Sequence, residues 1–162
     1  MRLERDFFAR DALLVARDLV GCRVVHKNMS IVIAETEAYG GEMDTACHAH
    51  KGRTKRTEVL YRDAGTLYVY LCYGMHWLMN VVTGAEDDPQ CVLIRAGVGA
   101  KGPALLTRAL KIDGSLNRVS ALTSEEIRFE PGEACEIEEK ARVGIAYAAP
   151  EDRDRLWRFV MK

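Results

Sequence analysis

A central stretch of the chain, residues 65–82, reads GTLYVYLCYGMHWLMNVV. Two runs rich in β-branched and aromatic residues flank the tetrapeptide Tyr73-Gly74-Met75-His76. Such runs favour β-strands, and a short link that contains glycine favours a tight turn between them. The stretch therefore predicts a β-hairpin with its tip at the tetrapeptide, and the fold must contain antiparallel sheet.

The side chains at this predicted tip are unusually large, because tight turns normally carry small polar residues. Tyrosine, methionine and histidine side chains are costly to leave idle in water. One interpretation is that another element of the protein covers them. The other is that the tip inserts into a binding partner, as apolar and aromatic wedges do where the bases of a nucleic acid unstack. The hairpin alone leaves both open.

Further periodic segments predict the remaining elements. Asp11 is placed to cap a helix that ends at Gly21. We expect strands at residues 22–26, 30–39 and 91–96, a second helix at residues 101–111, and short strands at 135–139, 143–146 and 156–161. A chain of 162 residues suits one domain, residues 1–162, with a real core. The predicted fold class is α+β, with hairpin-connected antiparallel strands and few helices.

The strand predicted at residues 30–39 has an unusual face. Alternation places five side chains together, namely Ile31, Ile33, Glu35, Glu37 and Tyr39. This face is apolar at its start and acidic toward its end. Either the end of the strand leaves the core and is solvated, or a carboxylate lies at the edge of an apolar pocket, where desolvation adjusts it as a base.

A lone arginine, Arg95, lies inside the apolar strand predicted at residues 91–96. If this side chain is buried, its charge needs an anionic partner. Glu37 is one candidate, and any carboxylate at the edge of a strand is another.

Residues 40–64 show no period, and a loop of this length is commonly functional. It contains Cys-His-Ala-His at 47–50, followed by four cationic residues, Lys51, Arg53, Lys55 and Arg56. These cations either contact phosphates or form a solvated surface, and the run alone does not decide between the two.

Composition excludes several classes of protein. With 48% hydrophobic and 29% charged residues the chain is not expected to be disordered, and no apolar run reaches the roughly 18 residues that span a bilayer. Its first twenty residues lack the apolar core of a signal peptide. The five scattered cysteines argue against a disulfide framework or a structural zinc site. We expect a soluble cytoplasmic protein without a membrane partner, and a net charge of −1 does not by itself favour nucleic acid.

Seven segments, taken in order, form one pattern. They are Arg-Asp-Phe-Phe around Asp6, Glu-Thr-Glu-Ala-Tyr at 35–39, the loop with His48, Gly-Thr-Leu-Tyr-Val-Tyr at 65–70, Tyr-Gly-Met-His at 73–76 with Asn80, Val-Leu-Ile-Arg-Ala at 92–96 and Arg-Val-Gly at 142–144. In these segments the chain resembles the alkyladenine (3-methyladenine) DNA glycosylase family, in its short form. The succession E-T-E-A-Y, T-L-Y-V-Y and Y-G-M is highly specific.

The resemblance implies a curved, mostly antiparallel, open-barrel-like sheet with a protruding hairpin and a few surrounding helices. It implies a monofunctional DNA glycosylase, a hydrolase of base excision repair that flips alkylated or deaminated purines out of duplex DNA and hydrolyses the N-glycosidic bond. The implied partner is double-stranded DNA that contains damaged purines, and the protein is expected to be a monomer without cofactor or metal. Because the family uses water rather than a lysine amine, we expect base excision without strand cleavage.

The same resemblance gives roles to residues that the patterns left open. Glu37 matches the general base that activates the attacking water. Arg95 matches the arginine that helps to hold this water. Tyr39, His48 and Tyr70 match the walls of the pocket for the flipped base.

Asn80 matches the asparagine that crowds the 2-amino group of guanine, so that undamaged guanine fits poorly. At the hairpin tip, Tyr73 matches the residue wedged into the minor groove, and Met75 and His76 hold equivalent tip and groove-contact positions. The hypothesised contacts to the DNA backbone are Lys51, Arg53, Lys55 and Arg56.

The chain departs from longer family members after Ala96. Only residues 97–101 precede the Gly-Pro pair at 102–103, and apolar Ala-Leu-Leu at 104–106 replaces a lysine that is usual shortly after that pair. These changes bear on DNA affinity and on the choice among 3-methyladenine, 7-methylguanine, hypoxanthine and ethenoadenine, while the core chemistry should survive them.

Two other functions are alternatives to the DNA glycosylase hypothesis. A metal-dependent hydrolase could use a loop cluster of Asp44, Cys47, His48 and His50 with a glutamate, because His-x-His spacing beside acids can bind metal, but a second well-spaced pair is missing. A non-catalytic protein could recognise lesions by flipping alone. That function would explain the hairpin tip and the cationic run but would leave Glu37 and Arg95 without a task.

Overall fold

The computed structural model describes residues 1–162 and contains one eight-stranded sheet. Its strands in chain order are β1 (Arg23–His26), β2 (Met29–Tyr39), β3 (Leu67–Cys72), β4 (His76–Thr83), β5 (Gln90–Gly97), β6 (Ile127–Glu130), β7 (Ile137–Lys140) and β8 (Arg158–Met161). The spatial order is β3-β4-β5-β2-β1-β6, and β8 pairs with both β2 and β7. Every pairing is antiparallel. The expected α+β class, with a curled antiparallel half-barrel, is confirmed.

Four short helices surround the sheet: α1 (Arg5–Phe8), α2 (Ala12–Leu19), α3 (Pro103–Ala109) and α4 (Pro150–Arg153). Helix α2 begins as predicted, because the Asp11 carboxylate accepts a hydrogen bond from the Leu13 N–H group at 2.8 Å. It packs on the sheet, where the Thr36 hydroxyl of β2 donates to the Ala16 carbonyl at 2.7 Å. None of these helices has the length and apolarity needed to cross a membrane. The cytoplasmic location stays a prediction.

The sheet has two unlike faces because side chains alternate along its strands. One face carries the apolar core that packs against α2, and it includes Leu67, Val69, Met79, Val81, Val92 and Ile94. The intervening side chains of β3, β4 and β5 line a cavity on the other face, and they include Tyr68, Tyr70, Leu78, Asn80, Leu93 and Arg95. The sheet therefore separates the core from the candidate site.

Strand β2 changes faces partway along its length. Ile33 packs in the core, and strict alternation would keep Glu37 on the same side. Instead, the register of β2 against β5 shifts between Ile33 and Thr36. Beyond this irregularity Thr36 and Ala38 are buried on the core side, whereas Glu37 turns to the cavity. The predicted single face is therefore wrong, because an extra residue at a β-bulge reverses the alternation.

The structure differs from the sequence prediction in further places. Residues 143–146 form a loop rather than a strand, because the Val143 N–H group donates to the Glu37 side chain and Gly144 has a positive φ of 76°. Sequence patterns also do not predict α1, α4 or β6, which pairs with β1 at the end of the sheet. The segment at 40–64 contains no strand, in line with its lack of period, but it forms short 3₁₀ helices at Gly41–Met43, His48–Lys51 and Thr57–Tyr61.

Candidate active site

A cavity of about 610 Å³ opens on the face of the sheet opposite the core. Of the predicted site residues it brings together Glu37, Tyr39, His48, Arg56, Tyr70, Tyr73, His76, Asn80 and Arg95, and it leaves out Lys51, Arg53, Lys55 and Met75. The loop at residues 143–147 closes one side, and the β3–β4 hairpin closes another. Small-molecule sites typically enclose about 300–1,000 Å³, so the cavity has room for a purine base.

Glu37 lies at the floor of the cavity with a side chain that is 0% exposed. Its Oε1 accepts a hydrogen bond from the Tyr39 hydroxyl at 2.8 Å, and its Oε2 accepts one from the Val143 N–H group at 2.7 Å. A buried carboxylate needs such donors, and hydrogen bonds to a charged acceptor are stronger than neutral ones. The two donors hold the plane of the carboxyl group in one orientation. The solvated-end interpretation of β2 is therefore wrong.

Arg95 lies between two carboxylates rather than beside one. Its Nε is 3.8 Å from Oε2 of Glu37 and 3.7 Å from Oε2 of Glu35. Arg158 approaches the same oxygen of Glu35 at 3.4 Å. Both partners considered for Arg95, Glu37 and an edge carboxylate, are thus present. Both Arg95 separations exceed hydrogen-bond length, so the Arg95 guanidinium keeps donors available for a third group near Glu37.

Three aromatic rings form a wall above the floor. A hydrogen bond of 2.8 Å joins His48 Nδ1 and the Tyr68 hydroxyl, and the ring of Tyr70 lies 4.7 Å from His48 and 5.1 Å from Tyr68 between centroids. Sequence reasoning missed Tyr68, although alternation with Tyr70 in T-L-Y-V-Y is a signal that could have found it. The guanidinium of Arg56 lies 5.2 Å from the centre of the Tyr70 ring.

This wall is uncharged near neutral pH. Burial, with a smaller effect of the Arg56 charge, lowers the pKa of His48 from 6.5 to about 4. Burial raises the pKa of Tyr68 to about 12 and that of Tyr70 still further. The rings therefore present polarisable π-faces without a competing positive charge of their own, an environment suited to stacking with a cationic or neutral base.

Asn80 is buried beneath the wall. Its Nδ2 donates to the carbonyl of Tyr68 at 3.3 Å, and its Oδ1 lies 4.0 Å from the Cys91 sulfur. These contacts limit the rotation of the amide. Asn80 is thus a buried polar group in the lining of the cavity, with its amide bonded to the neighbouring strand.

The hairpin tip is exposed. Tyr73 is 92% and Met75 is 72% exposed, while His76 lines the cavity. The covered-tip interpretation is therefore wrong. Tyr73 and Gly74 have φ angles of 52° and 67°, as residues at a type I′ turn do. The left-handed region is unfavourable for a bulky residue, and strained residues concentrate at functional sites.

The four cations of residues 51–56 do not act as one group. Arg56 reaches the cavity. Arg53 instead forms an ion pair with Asp87 at 2.7 Å and lies 4.3 Å from the centre of the Tyr61 ring. Lys51 and Lys55 are exposed on the surface beside them.

The loop cluster proposed for a metal is not assembled. Its side chains contact four separate partners: Asp44 with Arg142, Cys47 with the Pro89 carbonyl, His48 with Tyr68, and His50 with the Glu42 carbonyl. No group of three or more His, Cys, Asp or Glu side chains is placed to hold a metal ion. The geometry of the donors thus speaks against that function.

Sequence reasoning gave no role to three residues in or next to the loop that closes the cavity, namely Arg142, Val143 and Tyr147. Arg142 is buried and forms an ion pair with Asp44, and its neighbour Val143 supplies the N–H group that binds Glu37. Tyr147 lines the cavity while remaining 68% exposed, and its hydroxyl donates to the Ala46 carbonyl at 2.7 Å. The Arg-Val-Gly segment was a usable signal for the first of them.

The fold and the cavity together define the class of the protein. An antiparallel half-barrel with a purine-sized aromatic cavity beside an exposed, apolar hairpin tip is the architecture that the resemblance implies for an alkylpurine DNA glycosylase. Comparison with known proteins tests this class independently of the geometry.

A sequence model of the family described as "Methylpurine-DNA glycosylase (MPG)" matches residues 6–101 and 98–162. Three relatives carry the name "Putative 3-methyladenine DNA glycosylase". That of Legionella pneumophila (strain Corby) is 42% identical over 99% of this chain and 94% of its own length. Those of Natranaerobius thermophilus and Borreliella burgdorferi (strain ZS7) are each 39% identical, over 100% and 99% of this chain respectively and 96% of their own lengths.

The chain therefore belongs to the methylpurine-DNA glycosylase family. It is a DNA glycosylase of the 3-methyladenine type, a hydrolase of DNA repair that acts on N-glycosidic bonds and binds DNA. The resemblance seen in its motifs is confirmed.

We expect His48 to make the protein less stable in acid. The pKa of His48 is about 4 in the folded chain, whereas an exposed histidine in the unfolded chain has the usual value of 6.5. Between pH 4 and pH 6.5 the unfolded chain therefore binds a proton at this residue that the folded chain does not. The free energy of unfolding should therefore fall as the pH is lowered from 6.5 to 4, with a His48 contribution on the order of 1 kcal/mol near pH 5. Urea unfolding at neutral pH and near pH 5 should show a smaller fall for His48→Gln than for the wild type.

Arg56→Gln separates the two causes of the lowered His48 pKa, which are burial and the charge of Arg56. Removal of the cation should raise the pKa of His48 in an NMR titration of the imidazole, while burial keeps that pKa below its ordinary value. The same pH dependence of unfolding in wild type and His48→Gln would contradict a neutral, buried His48.

Proposed function

We propose that the protein flips a damaged purine out of duplex DNA and hydrolyses its N-glycosidic bond with a water activated by Glu37. The observation that carries this proposal is a fully buried carboxylate at the floor of a purine-sized aromatic cavity. A base inside a duplex cannot reach such a floor, so the nucleotide has to leave the stack before reaction.

The reaction places an attacking water between Glu37 and Arg95. The carboxylate accepts a proton as the water oxygen bonds to C1′ of the sugar, and the electron pair of the broken C1′–N bond leaves with the base. Arg95 has donors available there because its distances to both neighbouring carboxylates exceed hydrogen-bond length. An alkylated, cationic purine leaves as a neutral molecule, so the enzyme mainly supplies position and a base, and general-base assistance contributes about 10² to 10⁴-fold.

The walls support damaged purines as substrates. The rings of Tyr39, His48 and Tyr70 would stack with an electron-poor alkylated base, and the neutral His48 adds no repulsive charge. Asn80, held by its contacts, would crowd the 2-amino group of guanine. Deaminated purines lack the positive charge of alkylated ones and depend more on how easily they leave the duplex.

The hairpin tip supports flipping. The exposed ring of Tyr73 would enter the minor groove and fill the gap left by the extruded nucleotide, with Met75 and His76 beside it in the groove. That the protein acts as a monomer stays a prediction.

Glu37→Gln should nearly abolish excision while leaving lesion binding largely intact. The amide keeps the size of the carboxyl group but cannot accept the proton, so we expect a loss of at least about 10²-fold in the single-turnover rate. Glu35→Gln is the matched control, because Glu35 contacts Arg95 but does not line the cavity, and its effect should be much smaller.

Excision at the wild-type rate by Glu37→Gln would remove this residue from the mechanism. Lesion binding by the wild-type protein without any release of base would instead favour a non-catalytic lesion-binding protein. A base-release assay on duplexes that each carry one of 3-methyladenine, 7-methylguanine, hypoxanthine and ethenoadenine also gives the lesion preference.

Tyr73→Ala should slow excision more on a paired lesion than on a mispaired one. Without the ring the extruded state loses about 1–3 kcal/mol of stacking, and this loss matters most where a stable pair has to be broken. Single-turnover excision from paired and mispaired hypoxanthine duplexes measures the difference, with Tyr73→Phe as the control that keeps the ring. Equal fractional losses on both duplexes would mean that Tyr73 is not a wedge.

The cations beside the cavity should contribute to the salt dependence of DNA binding. We propose that some of the four cations Lys51, Arg53, Lys55 and Arg56 meet phosphates, and each lost contact should reduce the slope of log affinity against log salt by roughly 0.9. Arg53→Ala alone should have the smallest effect, because Asp87 already neutralises this side chain. An unchanged slope in the variant with all four replaced by alanine would identify the run as a solvated surface.

A further inference from the structure

The buried side chain of Arg142 lies behind the candidate site and not in it. It is 0% exposed and forms a two-pronged ion pair in which Nη1 and Nη2 donate to the two carboxylate oxygens of Asp44 at 2.6 and 3.0 Å. The same two nitrogens also donate to the carbonyls of Ala38, at 3.0 Å, and Asp152, at 3.1 Å. One side chain therefore connects β2, the loop after it and α4.

The plane of the guanidinium is also fixed. Its central carbon lies 4.9 Å from the ring centres of both Tyr39 and Trp157. Arginine suits such a place because its planar group can stack and donate in two directions at once, which a lysine ammonium cannot do.

Arg142 contacts or adjoins both groups that orient Glu37. Tyr39, on which it stacks, donates to Oε1 of Glu37 at 2.8 Å, and Val143, the next residue in the chain, donates to Oε2 at 2.7 Å. The Val143 N–H group lies in a loop without strand pairing, so the sheet does not hold it in place. The anchor nearest to it along the chain is the Arg142 side chain.

A contribution to stability alone does not explain this arrangement. Removing a guanidinium from water is costly, and well-packed apolar residues of similar volume often replace buried ion pairs without loss of stability. Moreover, Nε of Arg142 is buried without a hydrogen-bond partner. What an apolar residue could not provide is the set of directional contacts that place Tyr39 and Val143.

We propose that Arg142 is a positioning residue that holds the Glu37 carboxyl group in its reactive orientation through Tyr39 and Val143. This inference rests on the proposed role of Glu37 as the base. Arg142 itself touches neither water nor DNA in this mechanism, so its loss should slow the chemical step without weakening the binding of damaged DNA.

Arg142→Lys tests the proposal. Lysine keeps the positive charge toward Asp44 but loses the paired hydrogen bonds and the stacked plane. We expect the single-turnover excision rate to fall at least about tenfold and the Kd for lesion-containing duplex to stay unchanged. Arg155→Lys is the matched control. The half-exposed Arg155 also stacks on the Trp157 ring, at 4.8 Å, and pairs with Asp152, but it contacts neither Tyr39 nor Val143, so this variant should excise at the wild-type rate.

A double-mutant cycle distinguishes positioning from general loss of structure. If Arg142 acts through Glu37, Arg142→Lys should have little further effect on the residual rate of Glu37→Gln, whereas a merely structural defect would lower the rate in both backgrounds. Asp44→Asn provides a second route should Arg142→Lys not fold. It keeps the shape of the pair but weakens the anchor, and it should show the same loss of rate at unchanged Kd.

Folded Arg142→Lys and Asp44→Asn proteins that excise at the wild-type rate, beside an inactive Glu37→Gln, would overturn this inference alone. A loss in Arg142→Lys that adds in full to that of Glu37→Gln would overturn it as well. Failure of the proposed function is a different result, namely wild-type excision by Glu37→Gln.

Discussion

The need to satisfy a buried guanidinium organises the part of the molecule that bears the site. Arg142 has no access to water, so its two Nη groups donate to partners within the protein, and unpaired buried charge is strongly unfavourable. Asp44 supplies the countercharge, and carbonyls of β2 and α4 take further donors. Because these partners come from distant parts of the chain, the ion pair connects the end of β2 to the loop that closes the cavity.

Next to the Arg142–Asp44 ion pair, the sheet separates the apolar core on one face from the cavity on the other. Strands β3, β4 and β5 bury alternate side chains in the core and present the others to the cavity, so packing against α2 also fixes the floor of the site. The bulge in β2 lets this one strand contribute Ile33 to the core and Glu37 to the cavity. Bulges are common beside active sites for this reason, since they redirect a side chain without ending the strand.

The electrostatics of the cavity match the proposed chemistry. Its aromatic wall is neutral, because burial lowers the pKa of His48 and raises those of Tyr68 and Tyr70. Glu37 and Arg95 carry the charges at its floor, where a water would be activated. The exposed ring of Tyr73 lies at the rim of the cavity, on a turn with positive φ, whereas Glu37 lies at its floor. The proposed contact with the duplex and the proposed chemistry on the base therefore use different depths of the same face.

Local patterns were sufficient for the elements whose cause is local. The hairpin, the Asp11 cap and the absence of strands at residues 40–64 follow from turn chemistry, capping and periodicity. The motifs around Glu37 and Arg95 were also specific enough to identify the family and to place these residues together.

Features that depend on partners far along the chain became visible only in the folded protein. Alternation assigned Ile33 and Glu37 to one face, and only pairing with β5 revealed the bulge that separates them. Residues 143–146 resembled a strand, but the Val143 N–H group found a side-chain acceptor instead of a neighbouring strand. The partner of Arg142 could not be read from the sequence, because Asp44 is 98 positions away and nothing local selects it among the other carboxylates. Local sequence thus dictates the elements and the chemical groups that this protein carries, whereas contacts between distant parts of the chain dictate which of those groups meet.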